Sequence, residues 1–218
     1  MRRLELAIGG GLAAVAAFYL KVVRPWTMRW GATDEEVARP LPGDALVPNA
    51  GFKATRAITI HARPEDIWPW IVQIGSGRAG WYALDRIDNK GVPSATRIVP
   101  EFQDLKVGDL IPMVVGKDIG PRVREMEPNR WMLWVTEGEF TWEWVLEPIA
   151  ERSTRLITRM REVSPPLFSR RMLYAIVAST GDIVMHRKQL LGIKERAERL
   201  ARESSPQARA PRAAEGAS

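Results

Sequence analysis

Residues 140 to 147 read FTWEWVLE, and this strict alternation narrows the architecture more than any other stretch of the chain. With a period of two, Phe140, Trp142, Trp144 and Leu146 point one way while Thr141, Glu143, Val145 and Glu147 point the other. Such a strand belongs to an antiparallel sheet with one covered, aromatic face. Neighbouring segments repeat the signal: PRVREMEP, RWMLWVTE and STRLITRMREV are rich in β-branched and aromatic residues. Glu127-Pro128-Asn129-Arg130, Glu137-Gly138-Glu139 and Ile149-Ala150-Glu151-Arg152 are turn sequences, so the four strands form a meander. In the last strand Leu156, Thr158 and Met160 share one side, and Arg155, Arg159 and Arg161 share the opposite, solvated one. Earlier in the chain, KATRAITIHA gives a first strand and VGDLIPMVV another, while TRIVPEF is a poorer candidate because of its proline.

Two kinds of helix accompany the strands. HARPEDIWPWIVQIG has Pro64 at a first helical position, acids at Glu65 and Asp66, and apolar residues at Ile67, Trp70, Ile71 and Ile74, which predicts a short amphipathic helix. After SPP, with Ser164 as a cap, Leu173, Ile176, Val177, Thr180, Val184 and Leu191 recur at spacings of three and four and predict one long amphipathic helix. Gly181 in its middle implies close packing or a kink beside a cavity.

Gly75, Gly77 and Gly80 fall in the spacing G-x-G-x-x-G, which in a dinucleotide fold follows a strand and opens a long helix. Here the glycines follow a helix, and Asn89, Gly91 and Pro93 break the chain soon afterwards. The nucleotide reading is set aside in favour of a flexible joint between two short helices, with Ser76 capping the second.

The first thirty residues carry a basic tip at Arg2 and Arg3, an uncharged run from Leu6 to Leu20, then Lys21, Arg24 and Arg29. The run is short for a membrane span at about 1.5 Å per residue, but snorkelling of Lys21 and interfacial Trp26 and Trp30 extend it. An uncleaved membrane anchor is expected; a cleaved signal peptide or a soluble docking helix are the competing readings. Basic residues on both flanks leave orientation open, with three against two placing the body towards the cytoplasm. The expected organisation is an anchor over 1–30, a Pro/Gly-rich connector over 31–52 that packs on or tethers the domain, one domain over 53–201, and a disordered tail over 202–218.

Composition removes several chemistries. With no cysteine there is no disulfide, thiolate nucleophile or cysteine-ligated metal, and the two histidines, His61 and His186, lie too far apart in sequence to suggest a histidine metal site. No cofactor or metal is expected. Thirty-two basic against 26 acidic residues give a net charge of +6, concentrated late in the chain. A solvated basic face accounts for it; nucleic acid is disfavoured for want of an aromatic or glycine-rich RNA signature, and an interaction module for anionic partners stays open.

Strand, two short helices, antiparallel meander and long closing helix is the order of the α+β helix-grip fold. Over about Lys53 to Ala201 the chain resembles a bacterial member of the SRPBCC superfamily, the START-like and polyketide cyclase/dehydrase-like proteins, in a branch with an N-terminal apolar segment. The closest local matches are TRAITIHARPEDIWPWIVQIGSGRAGWYALDRIDN and MHRKQLLGIKERAE, which identify a branch and no chemistry. What the resemblance implies is a deep apolar cavity between a concave sheet and the long helix, used for lipids, sterols, polyketides and other hydrophobic molecules.

An aromatic sheet face opposite an amphipathic helix either fills with side chains or leaves a pocket. Trp131, Trp134, Phe140, Trp142, Trp144, Leu156 and Met160 are the expected sheet lining. Ile176, Val177, Thr180 and Val184 are expected from the helix, and Trp70, Trp81 and Tyr82 from the segment before the meander. The expected ligand is a hydrophobic small molecule or lipid, with the membrane as a second partner. The alternative is a cyclase/dehydratase-like enzyme in which Tyr82 and Asp85, set with Asp88 on one short helix, or His186 paired with Asp182 four residues away, supply acid and base. Against it stand surface roles for Asp85 and for the Asp182–His186 pair. A serine triad has no support, since Ser76 in GSG lacks a preceding strand.

Overall fold

The computed structural model describes residues 11, 14, 17–163 and 170–204, with the backbone alone over 170–180. Five antiparallel strands, β1 (Phe52–Ile60), β2 (Arg122–Glu127), β3 (Trp131–Thr136), β4 (Phe140–Ala150) and β5 (Ser153–Glu162), form one sheet in the order β1-β5-β4-β3-β2. The chain thus closes its meander by bringing β5 beside β1. Five α-helices are described: α1 (Arg24–Met28), α2 (Asp34–Ala38), α3 (Pro64–Val72), α4 (Asp85–Asp88) and α5 (Arg170–Glu203). A mixed sheet-and-helix chain closed by one long C-terminal helix fits the helix-grip arrangement.

The strand expected at VGDLIPMVV does not form. Only isolated bridges, Leu110 with Arg122 and Val114 with Lys117, occur there, because Pro112 lacks an amide donor and left-handed glycines at 108, 116 and 120 keep turning the chain. TRIVPEF likewise gives no strand; Pro100 opens a single 3-10 turn, Pro100–Phe102. The Ser164 cap and the tail from 205 lie outside the described residues.

Register puts Arg56, Thr158, Trp144 and Met132 in one row across the sheet, and Ala54, Met160, Trp142 and Trp134 in the next. This face is covered by α3 and α5 and forms the main core. From α5 the buried residues are Ile183, His186, Gln189, Leu190, Ile193, Ala197 and Ala201. The inward stripe is therefore offset by one residue from that expected: Val184 is 58% exposed and Leu191 is 36% exposed. Apolar counting missed it because the true inward face carries polar His186 and Gln189 and small alanines. Gly181 meets neither close packing nor a kink, since a Cβ there would touch nothing within 4 Å and α5 runs through it unbroken. The close approach is at Gly192, whose added Cβ would stand 2.4 Å from the Tyr82 carbonyl oxygen.

The opposite face is not solvated, as the arginine alternation of β5 had implied. The segment between α1 and β1 lies across it. Arg155 binds Glu36 through Nε at 2.7 Å. Arg159, 5% exposed, donates to Thr55 Oγ1, Asp44 Oδ2 and the carbonyls of Glu36, Val37 and Arg39 at 2.7–3.1 Å. Arg161 donates to the carbonyls of Val47 and Pro48 and to Asp44. Carbonyls of a proline-rich segment have few amide partners nearby, so the guanidinium forks take that role. Beneath the same segment Glu143 is buried; its Oε2 accepts from the Gly43 amide at 3.2 Å and its Oε1 has no partner.

Ahead of α1, a π-helical turn spans Tyr19–Val23. No helix among the described residues is long and apolar enough to cross a membrane, and no N-terminal apolar helix is found among them. Residues 1–10, 12, 13, 15 and 16 of the expected anchor lie outside the described residues. At its described end Phe18, Leu20, Val22 and Trp26 are exposed, while Thr27 is buried.

Candidate functional site

The row Arg56, Thr158, Trp144 meets α5 at its first described inward turn, and there the buried polar groups gather. Arg56 on β1 is 0% exposed, which is costly for a cation unless it is paired. Its Nε donates to the Thr27 carbonyl at 2.9 Å, and its Nη1 stands 2.6 Å from Asp182 Oδ2 and 2.7 Å from His186 Nδ1. Asp182 and His186, one turn apart on α5, are thus not the surface pair that their spacing suggested. Burial raises the Asp182 pKa, with Arg56 opposing the rise. Burial first, and Arg56 second, hold His186 well below the usual histidine range, so the ring is neutral.

A guanidinium has donors and no acceptor, so His186 Nδ1 must accept and the ring proton resides on Nε2. That Nε2 is buried without a partner, and so are Arg56 Nη2 and the indole nitrogens of Trp134 and Trp144. All four are donors. The imidazole stands edge-on to Trp142 at 5.2 Å and to Trp144 at 6.1 Å between ring centroids.

Around this centre the indoles pack on each other. Trp142 stacks on Trp144 at 5.0 Å and on Trp81 at 5.9 Å, and Trp134 tilts against both β4 rings. Trp142 is held by an indole bond to Thr158 Oγ1 and Trp81 by one to Ser76 Oγ. Phe140 abuts Trp142, and Leu156 and Met160 are buried on the same sheet face. Trp131 is not part of this wall. Pairing with Val145 places it on the connector face, since an odd separation of three residues from Trp134 turns it to the other side of β3. Val184 points away, and the side chains of Ile176, Val177 and Thr180 lie outside the described set. Between the sheet and the later turns of α5 the space is filled by Trp70, Ile71, Leu190, Ile193 and Ala197 rather than hollow.

Tyr82 and Asp85 do not form a pair facing this interior. Tyr82 precedes α4 with φ of 57°, a left-handed conformation uncommon for an aromatic residue. Its hydroxyl donates to the Trp70 carbonyl and accepts from Gln73 Nε2, and its amide donates to Ser94 Oγ, which in turn donates to Asp85. Burial raises the phenol's pKa, away from neutrality. Both residues brace the loop against α5, where Arg196 lies 4.6 Å from the Tyr82 ring centroid. Asp88 caps the same turn by accepting from the Leu84 amide.

The glycine segment is no flexible joint. Gly75 and Gly80 exchange backbone hydrogen bonds as a bridge, and an added Cβ at Gly80 would collide with Ser94. Ser76 donates to the Asp88 carbonyl instead of capping a helix. Nor is the late basic run simply solvated: Lys194, Arg196 and Arg199 donate to the carbonyls of Thr59, Ala95 and Thr96. A groove of about 380 Å³ opens on the connector side between α1, α2, β1 and β5. Its Arg159 and Arg161 are committed to the connector, and it does not reach the aromatic face. Among the described residues no group of three or more His, Cys, Asp or Glu is placed to hold a metal.

No family model matches the chain, and no curated protein matches it. Among solved structures, a conserved protein of unknown function from Enterococcus faecalis is 12% identical over 77% of this chain and 80% of its own, with a TM-score of 0.36. A Polyketide_cyc-like protein from Corynebacterium glutamicum is 19% identical over 69% of this chain and 89% of its own, with a TM-score of 0.30. The di-domain ARO/CYC protein BexL is 12% identical over 67% of this chain and 46% of its own, with a TM-score of 0.38. Likeness of this extent carries no argument about function, and the fold rests on the sheet order and closing helix described above.

Proposed function

We propose that the chain binds a hydrophobic small molecule against the indole wall of β3 and β4, beneath the first half of α5, and that its apolar N-terminal stretch tethers it to a membrane. One observation carries the binding reading: a fully buried arginine and a neutral buried histidine are set among tryptophans, two of which, Trp134 and Trp144, have indole N–H groups without a partner. A domain concerned only with stability gains little from such a cluster, because well-packed apolar residues replace a buried ion pair without loss. Binding sites, by contrast, combine apolar walls with a few convergent polar groups. The tether is supported by the exposed Phe18, Leu20, Val22 and Trp26 with Lys21 and Arg24 among them.

An acid–base enzyme has less support. A general base needs a free lone pair near its working pH, and the accessible tautomer of His186 offers a proton on Nε2 while Nδ1 is taken by Arg56. Tyr82 is occupied at both hydroxyl roles.

Native mass spectrometry of the full chain purified with its membrane fraction tests the reading. A retained hydrophobe, displaced when Trp144 is replaced by alanine, is the expected result. Failure to retain or take up any of a sterol, a fatty acid, a quinone and a polyketide would overturn it.

A further inference from the structure

Apart from the indole wall, and resting only on the membrane tether proposed above, the connector side of the sheet offers a place for an anion. The groove of about 380 Å³ between α1, α2, β1 and β5 is walled by five cations, Arg29, Arg39, Lys53, Arg159 and Arg161, with Asp44 the one acid among its described lining residues. Arg159 and Arg161 share Asp44 and spend most of their other bonds on Thr55 and the connector carbonyls, so they contribute chiefly charge. Arg29 and Arg39 each hold a carboxylate, Asp34 and Glu147, through a single nitrogen, and their side chains are 41% and 38% exposed. Exposed pairs of this kind are weak, and each guanidinium keeps further N–H groups. Lys53 is exposed and has no hydrogen-bond or ion-pair partner among the described residues. The three carboxylates that pair with these five cations leave a surplus of two positive charges along the lining.

The position of the groove selects the source of the anion. Pro25 and Met28 of α1 and Val37 of α2 supply its apolar wall, and Trp26, between the first two in sequence, is 56% exposed. Exposed Phe18, Leu20 and Val22 precede them. Tryptophan settles at headgroup depth, so a bilayer that receives the N-terminal stretch brings its phosphates level with the groove. Positive charge beside an apolar wall matches a lipid phosphate with its glycerol carbons attached. Phosphatidylcholine carries a choline cation to the same place, where the surplus repels it. We infer that the groove binds the phosphate of an anionic phospholipid headgroup, with Lys53, Arg29 and Arg39 as its contacts, and that it holds the domain to the membrane by its connector side.

Competitive flotation tests this. The full chain is offered phosphatidylcholine vesicles and, at the same time, dye-marked vesicles that also contain phosphatidylglycerol. Partition is expected to favour the phosphatidylglycerol vesicles by about tenfold or more. Lys53→Gln is expected to lower that ratio about fivefold. Arg130→Gln, the same change in net charge at the exposed β2–β3 turn, is expected to leave it near the unaltered value. Near-ultraviolet circular dichroism checks that both variants fold. Phosphatidylglycerol with a photoactivatable headgroup is expected to label peptides holding Met28, Val37 or Lys53, a readout that needs no variant. Equal partition, an equal loss in the two variants, or labelling elsewhere overturns the headgroup site and leaves the tether standing. Lys53 side-chain resonances that shift with inorganic phosphate while partition stays equal assign a soluble anion and likewise overturn it. Absence from both vesicle populations overturns the tether as well.

Discussion

Arg56 Nη1 lies 2.7 Å from His186 Nδ1, joining the edge strand to the long helix across 130 residues of sequence. With its pKa well below the ordinary 6.5, through burial and then the arginine charge, the native imidazole refuses a proton that the unfolded chain accepts. Its contribution to stability is complete above about pH 6.5 and is lost as pH falls below that value, by at most about 1.4 kcal/mol per pH unit. Urea unfolding at a series of pH values below neutrality is expected to show a shallower decline for His186→Phe than for the unaltered chain. Equal slopes would mean that the ring titrates freely in the native state.

Glu143 should behave with the opposite sign. Burial is the main cause that raises its pKa from 4.5 to about 7, with Asp44 adding to the rise and the Gly43 amide, Arg159 and Arg39 opposing it. The native state holds a proton that the unfolded state has released, so the contribution is present below about pH 4.5 and is lost as pH rises towards about 7. Glu143→Gln, which mimics the protonated form, is expected to flatten the curve over that window and to leave the chain more stable than the unaltered protein at pH 8, measured by the same unfolding experiment.

The two glycines of α5 make a paired prediction. Gly192→Ala drives a methyl group to 2.4 Å from the Tyr82 carbonyl and 2.9 Å from its Cβ, and is expected to cost about 2 kcal/mol or more. Gly181→Ala meets open space within a continuous helix and should stabilise by about 1 kcal/mol. Thermal melts read both, and a tolerated Gly192→Ala would contradict the close approach of helix and loop.

Arg159 clasps the connector by four hydrogen bonds, with a fifth to Thr55 on β1, from a position 5% exposed. Arg159→Met is expected to lose about 3 kcal/mol and to open the Pro40 to Pro48 segment to limited proteolysis. Exposed Arg124, paired with Glu137 at the surface, is the control: its replacement by alanine should stay within about 0.5 kcal/mol and leave the cleavage pattern unchanged.

Much of the meander was legible because its signal is local. FTWEWVLE alternates, its turns carry Asn129 and Gly138, and β2 to β5 follow from that pattern alone. The candidate centre was not legible, because its members come from β1 and α5 and no short-range rule brings them together. His186 was read as a surface residue since one turn of helix separates it from Asp182, and nothing in that spacing reports the guanidinium arriving from Arg56. The signal that existed was an unexplained arginine inside an otherwise apolar strand pattern, ATRAITI. Likewise Arg155, Arg159 and Arg161 look solvent-facing by alternation. Their burial depends on a proline-rich segment whose carbonyls need donors, a demand that periodicity does not express.

The way Trp30 and Gly31 lie against β1 bears on how the molecule behaves in a crowd. The Ala57 amide donates to the Trp30 carbonyl, and Gly31 presses on the Ala57 carbonyl so closely that no side chain fits between them. That margin of the sheet is thereby closed to strand addition from another chain. β2 forms the other margin, and there Arg122, Arg124, Glu125 and Glu127 supply charge at four of six positions. Strand-to-strand polymerisation is thus opposed by backbone occupancy along one border and by the cost of desolvating charged side chains along the other.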